Sequence, residues 1–83
     1  VKRADIYERI DAERVRQGLL WTRDHGWGYG DCSSTDVPVI VKVAVLTEEC
    51  GEVASAVLEG DEPGIRAELI EIAAVAVAWL ESM

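Results

Sequence analysis

Histidine occurs once in this 83-residue chain, cysteine twice and phenylalanine not at all. These shortages exclude several chemistries. A tetrahedral zinc site needs about four nitrogen or sulfur ligands, and His25, Cys32 and Cys50 do not supply a convincing set. Glu-x-x-His pairs, the ligand pattern of dinuclear iron bundles, are missing as well. Cys32 and Cys50 form no C-x-x-C pair, and a disulfide between them is not expected. Cys50 falls within a helical pattern and reads as a small buried hydrophobe. Long apolar runs are also lacking. The longest, residues 72–80, has nine members, whereas a membrane-spanning helix needs roughly 20. The first residues lead into a charged helical pattern, unlike the apolar core of a signal peptide, so the expected location is the cytoplasm and no membrane partner is expected.

Positive charge is scarce in one half. Residues 1–42 carry seven acidic and seven basic side chains; residues 43–83 carry nine acidic ones and a single base, Arg66. The second half therefore accounts for the whole formal charge of −8. Such a surface repels phosphate backbones, which excludes nucleic-acid binding through a basic patch. The excess is either a solvated face that aids solubility or a set of ligands for cations.

With 9.1 kDa, 49% apolar and 29% charged residues, the chain suits one small globular domain. Three helical segments are predicted. The first covers about residues 4–20, where Ile6, Ile10 and Val15 run along a charged helix. A loop over about residues 21–36 follows, rich in glycine and carrying Trp21, Trp27 and Tyr29. Its aromatic side chains form either a hydrophobic plug or a platform for a flat ligand. The second helix covers about residues 37–59, with Thr35 or Asp36 as cap and Pro38 in its first turn. Val39, Val43, Leu46, Cys50, Val53 and Val57 form its apolar line, and Gly60 ends it. The third covers about residues 62–82, opens on Asp61-Glu62-Pro63 and is apolar on nearly every side, with Ile65, Leu69, Ile72, Ala76, Trp79 and Met83 along one stripe. A helix apolar all round must be buried all round, and three helices cannot enclose it. The expected fold is all-α: a small antiparallel helical bundle completed by homo-oligomerisation.

The acids interrupt this pattern. Glu49 and Glu52 point to one side of the second helix, and Glu68 and Glu71 to one side of the third, because residues three apart lie about 60° apart around a helix. Their rows are otherwise apolar: Val45 precedes Glu49, Ala56 follows Glu52, and Val75 and Ala78 follow Glu71. Facing inward, four carboxylates would meet in a low dielectric and need protons or cations. An all-oxygen set suits Mg²⁺, with Mn²⁺ as the alternative.

Glu48-Glu49-Cys50-Gly51-Glu52, fifteen residues, then Glu68-Leu69-Ile70-Glu71 resembles the EExxE…ExxD signature of MazG-like nucleotide pyrophosphohydrolases, of the all-α NTP pyrophosphatase superfamily. The stretch VKVAVLTEECGEVASAVLEGDEPGIRAELIEIAAVAVAWLES is similar to members of that family, and ERVRQGLLW is similar to their first helix. The resemblance covers residues 8–82. It implies a dimer or tetramer that hydrolyses nucleoside triphosphates, or modified forms of them, to monophosphate and pyrophosphate with Mg²⁺. It implies Glu49, Glu52, Glu68 and Glu71 as metal ligands, with Glu48 as the leading acid that completes the shell or orients water. On that reading Lys42, Arg14 and Arg16 are the phosphate-side cations, and Trp21 or Trp27 stacks on the base. Two positions depart from the pattern: Glu71 stands where the family has Asp, and Val75 stands where a polar contact would be expected. The rival reading is a catalytically weak or inactive helical oligomer, binding nucleotide or metal as an interaction module.

Overall fold

The computed structural model describes residues 1–21 and 26–83. Three helices form: α1 (Arg3–Leu20), α2 (Val39–Glu59) and α3 (Glu62–Glu81). Among the described residues there is no strand, and no helix is long and apolar enough to cross a membrane. His25 lies outside the described residues.

The helix ends follow from local chemistry. The Asp61 side chain caps α3 by accepting from the Gly64 backbone N–H at 3.0 Å, which satisfies one of the orphan donors of the first turn. Gly60 closes α2 in the left-handed region, at φ 67° and ψ 24°, which only glycine adopts without a steric penalty. The start of α2 departs from expectation. Pro38 is itself the N-cap, with φ −63° and ψ 150°, and neither Thr35 nor Asp36 caps the helix. The proline ring drives the preceding residue toward extended backbone, so Val37 cannot be helical and α2 begins at Val39.

α3 is the central helix. It packs against both α1 and α2, which share no close backbone contact with one another. Trp27, Asp31, Cys32 and Val37, from the described part of the segment that joins them, line the space between α1 and α2. Arg14 ties that segment down: its Nη1 donates to Asp31 at 2.7 Å, while its Nε donates to Glu81 at the end of α3 at 3.0 Å. Asp31 in turn accepts from the Ser33 backbone N–H at 2.9 Å and from the Ser33 hydroxyl. Burial works against the Asp31 carboxylate, but the bonds from Ser33 and Arg14 outweigh it and hold its pKa below the ordinary value. Gly28 sits at φ 121° with no room for a side chain, since a Cβ there would meet the Asp36 carbonyl oxygen at 2.9 Å.

The core is thin. Cys32, Val75 and Ala78 form its buried centre, with Val45 and Leu46 packed against it. Ala74 and Ala78 are fully buried. Most of the predicted apolar lines face outward instead. Val39, Val43, Cys50 and Val57 are exposed on α2, as are Leu69 and Ala76 on α3 and Met83 beyond its end. Cys50 is therefore not the buried hydrophobe its helical setting suggested; Cys32 is the buried thiol, and the two are not joined. When a helix is apolar on opposite sides, periodicity alone does not say which side turns inward.

Candidate metal centre

The rows that do turn inward are the acid-bearing ones. On α2, Val45 and Glu49 are partly buried and Ala56 is buried; on α3, Glu68 and Glu71 are partly buried and Val75 and Ala78 are buried. Packing α2 on α3 thereby brings the two acid pairs together. One carboxylate oxygen from each of Glu49, Glu52, Glu68 and Glu71 lies within 4.8 Å of the other three. Glu49 Oε2 and Glu68 Oε2 are sealed from solvent and have no hydrogen-bond partner among the described residues. The extra methylene of Glu71 does not keep it out of the group.

Such crowding costs free energy unless it is neutralised, because ionised carboxylates only accept hydrogen bonds. Burial, joined by the neighbouring Glu71 and Glu68, pushes the Glu49 carboxyl up from 4.5 to about 9. Burial raises Glu68 too, helped by Glu52 and Glu71. Without a cation the cluster must hold protons at neutral pH. Among the described residues Arg16 is the one base in ion-pair contact with the four, at 3.3 Å from Glu71. The donor set fits a hard divalent cation: all oxygen, anionic, close enough to converge, and with two buried oxygens in want of a partner.

Beside the acids a groove of about 90 Å³ runs between α1 and α2, with Glu71 and Val75 of α3 as its floor. Glu13, Arg16, Gln17 and Leu20 line the α1 side, spaced as one helical face. Val41, Val45 and Glu49 line the α2 side, and Trp21, Trp27, Asp31, Cys32 and Val37 close one end. The lining thus mixes apolar and aromatic side chains with four acids, Glu13, Asp31, Glu49 and Glu71, and one base, Arg16. The Trp21 and Trp27 rings lie 6.1 Å apart at 39°, and both also border a wider hollow beside Ile40, Ala44 and Glu48.

The candidate residues from the sequence separate into three sets. Glu49, Glu52, Glu68 and Glu71 come together; Arg16, Trp21 and Trp27 line the adjoining groove. Glu48 is exposed, outside the group of four, and borders the outer hollow. Lys42 and Arg14 do not line the groove. Lys42 is only 3% exposed and donates to the Ser82 hydroxyl at 2.7 Å, which places its charge at the carbonyl end of α3, where a cation is favoured. Arg14 is committed to Asp31 and Glu81. Glu13 was not singled out by the sequence reading. The signal for it is present all the same: an acid three residues before Arg16, on the face continued by Gln17 and Leu20.

No family model matches this chain, and comparison with curated proteins and with solved structures returns no match.

Proposed function

We propose that this chain is a divalent-cation-dependent nucleoside triphosphate pyrophosphohydrolase of the MazG-like kind, and that copies of it associate to complete the bundle. The observation that carries the reading is the convergence of four carboxylate oxygens within 4.8 Å, two of the acids having a buried oxygen without a partner. A triphosphate is repelled by bare carboxylates, and a cation between them removes that barrier. Mg²⁺, or Mn²⁺ in its place, supplies polarisation of phosphoryl oxygens and acidification of bound water. Glu49, Glu52, Glu68 and Glu71 hold it. This reading assigns the rest of the nucleotide to the neighbourhood of the groove: Trp21 and Trp27, which line it, offer apolar faces for a base, and Arg16, also in its lining, serves as the phosphate-side cation. Hydrolysis between the α- and β-phosphates adds one water and releases monophosphate and pyrophosphate.

Association is supported by the large side chains left outside. Ile40 is 74% exposed and Leu58 88% on α2, and Leu69 and Leu80 are exposed on α3. Exposed large apolar side chains in this number suit an interface better than water.

One observation favours a second reading, a non-catalytic module that binds nucleotide or metal: Glu48 stands apart from the four acids. A screen of ordinary and modified nucleoside triphosphates with Mg²⁺ and Mn²⁺, reading pyrophosphate against orthophosphate, separates the two. The enzyme reading expects pyrophosphate in equal amount to monophosphate. Ligand binding with no turnover of any triphosphate would leave the module.

A further inference from the structure

Arg16 belongs to two carboxylates at once. Its Nε donates to Glu13 Oε2 at 2.8 Å and its Nη2 to Glu13 Oε1, a fork-on-carboxylate pair within α1. The same Nη2 reaches Glu71 of the acidic cluster at 3.3 Å, and Glu71 and Glu49 both add to the forces holding the guanidinium charged, after Glu13. Nη1 has no hydrogen-bond partner among the described residues. The Arg16 side chain is 53% exposed while that of Glu13 is only 12% exposed. The base is therefore open to a ligand from solvent while its anchor is largely enclosed. Both line the groove that runs past the cluster.

We infer that Arg16 is an exchangeable counter-ion of the acidic cluster, pairing with Glu71 until a divalent ion takes that carboxylate and then turning to the phosphate of the incoming ligand, with Glu13 as the positioning residue that keeps it at the groove. This rests on the metal reading of the four acids given above. The physical ground is competition. A guanidinium on Glu71 and a divalent ion among the four glutamates draw on the same negative charge. An anchored guanidinium displaced from Glu71 remains beside the groove, where a polyphosphate carries the compensating charge.

The two roles have opposite signs, which makes them separable by calorimetry on the whole chain. MnCl₂ is titrated into wild type, Arg16→Gln, Glu13→Gln and the double variant. Inorganic tripolyphosphate is then titrated into each in excess Mg²⁺. Arg16→Gln is expected to tighten Mn²⁺ by about threefold to fivefold, the scale of a half-exposed ion pair, and to weaken tripolyphosphate by at least as much. Glu13→Gln is expected to weaken tripolyphosphate in the Arg16 background and to change nothing further once Arg16 is Gln. Arg16→Lys keeps the charge without the fork, so it should keep wild-type Mn²⁺ affinity and recover part of the tripolyphosphate affinity. Wild type that binds Mn²⁺, with Arg16→Gln unchanged or weaker for the metal, overturns this inference alone. Additive losses in the double variant overturn the role of Glu13. Wild type that takes up no Mn²⁺ overturns the metal reading and this inference together.

Discussion

Where α2 and α3 turn inward, small and acidic side chains, Ala56, Ala74 and Ala78 beside Glu49, Glu52, Glu68 and Glu71, stand among a few larger ones, Lys42, Val45, Leu46 and Val75. On their outward sides stand Ile40, Val57, Leu58, Leu69 and Leu80. A free-standing bundle places its large aliphatic residues in the centre, because burying one is worth about 1.5–3 kcal/mol. Here part of that contribution is left unused within one copy. The small inward residues let the two backbones come close, which is what draws the four carboxylates into one group. On the proposed reading the inward rows serve a site and the outward rows a neighbour. The difference teaches that acidic and large apolar side chains occupy opposite sides of the same two helices.

The comparison breaks most visibly at the acids. Glu52→Gln or Glu49→Gln should lower pyrophosphate release on the order of 100-fold or more, the loss of transition-state charge stabilisation, while far-UV circular dichroism stays helical. Turnover unchanged in both would remove them from the site. Next in size is the outer face. Leu58→Lys with Leu80→Lys should convert the assembly to single copies in light scattering, since the two leucines together represent about 3–6 kcal/mol of apolar burial. An unaltered mass would place the interface elsewhere. Filling the inward face is a third test. Ala78→Leu forces methylenes into a fully buried position, at a cost of about 1–3 kcal/mol, or roughly 4–8 °C in Tm for each kcal/mol. Leu80→Ala on the exposed side of the same helix should move the Tm of the dissociated chain by much less.

A fourth test sharpens the account of charge. Glu49 takes up its proton at about 9 in the folded chain but near 4.5 when unfolded, so between those values the folded state binds more protons. Stability of the metal-free protein should accordingly be greatest in the acid part of that window and fall as pH rises through it. Tm measured in EDTA across this range checks the sign, and a flat or rising curve would contradict it.

Much of this was legible in the sequence. Gly60, Asp61 and the glycine-rich segment after Trp21 mark helix ends by steric and capping rules that act locally, and the structure places α1, α2 and α3 within two or three residues of the expected spans. The acid rows were legible because Val45, Ala56, Val75 and Ala78 identify their faces as inward. The apolar stripes were not, since Val43 and Leu69 fit an inward face by spacing as well as the residues that truly occupy it. Lys42 was misplaced for a different reason: its fate depends on Ser82, forty residues away, and no local pattern reports that meeting. Glu13 acquires its role from Arg16 and from the approach of α1 to α3, which is likewise a tertiary fact.

Thermal unfolding at pH 8 with and without millimolar Mg²⁺, on wild type and on Glu49→Gln with Glu68→Gln, tests the convergence of the acids most directly. A ligand that binds only the folded state raises its Tm, so wild type should melt several degrees higher with Mg²⁺ while the double variant gains nothing. No rise in wild type, or an equal rise in both, would contradict a divalent-ion site at these glutamates.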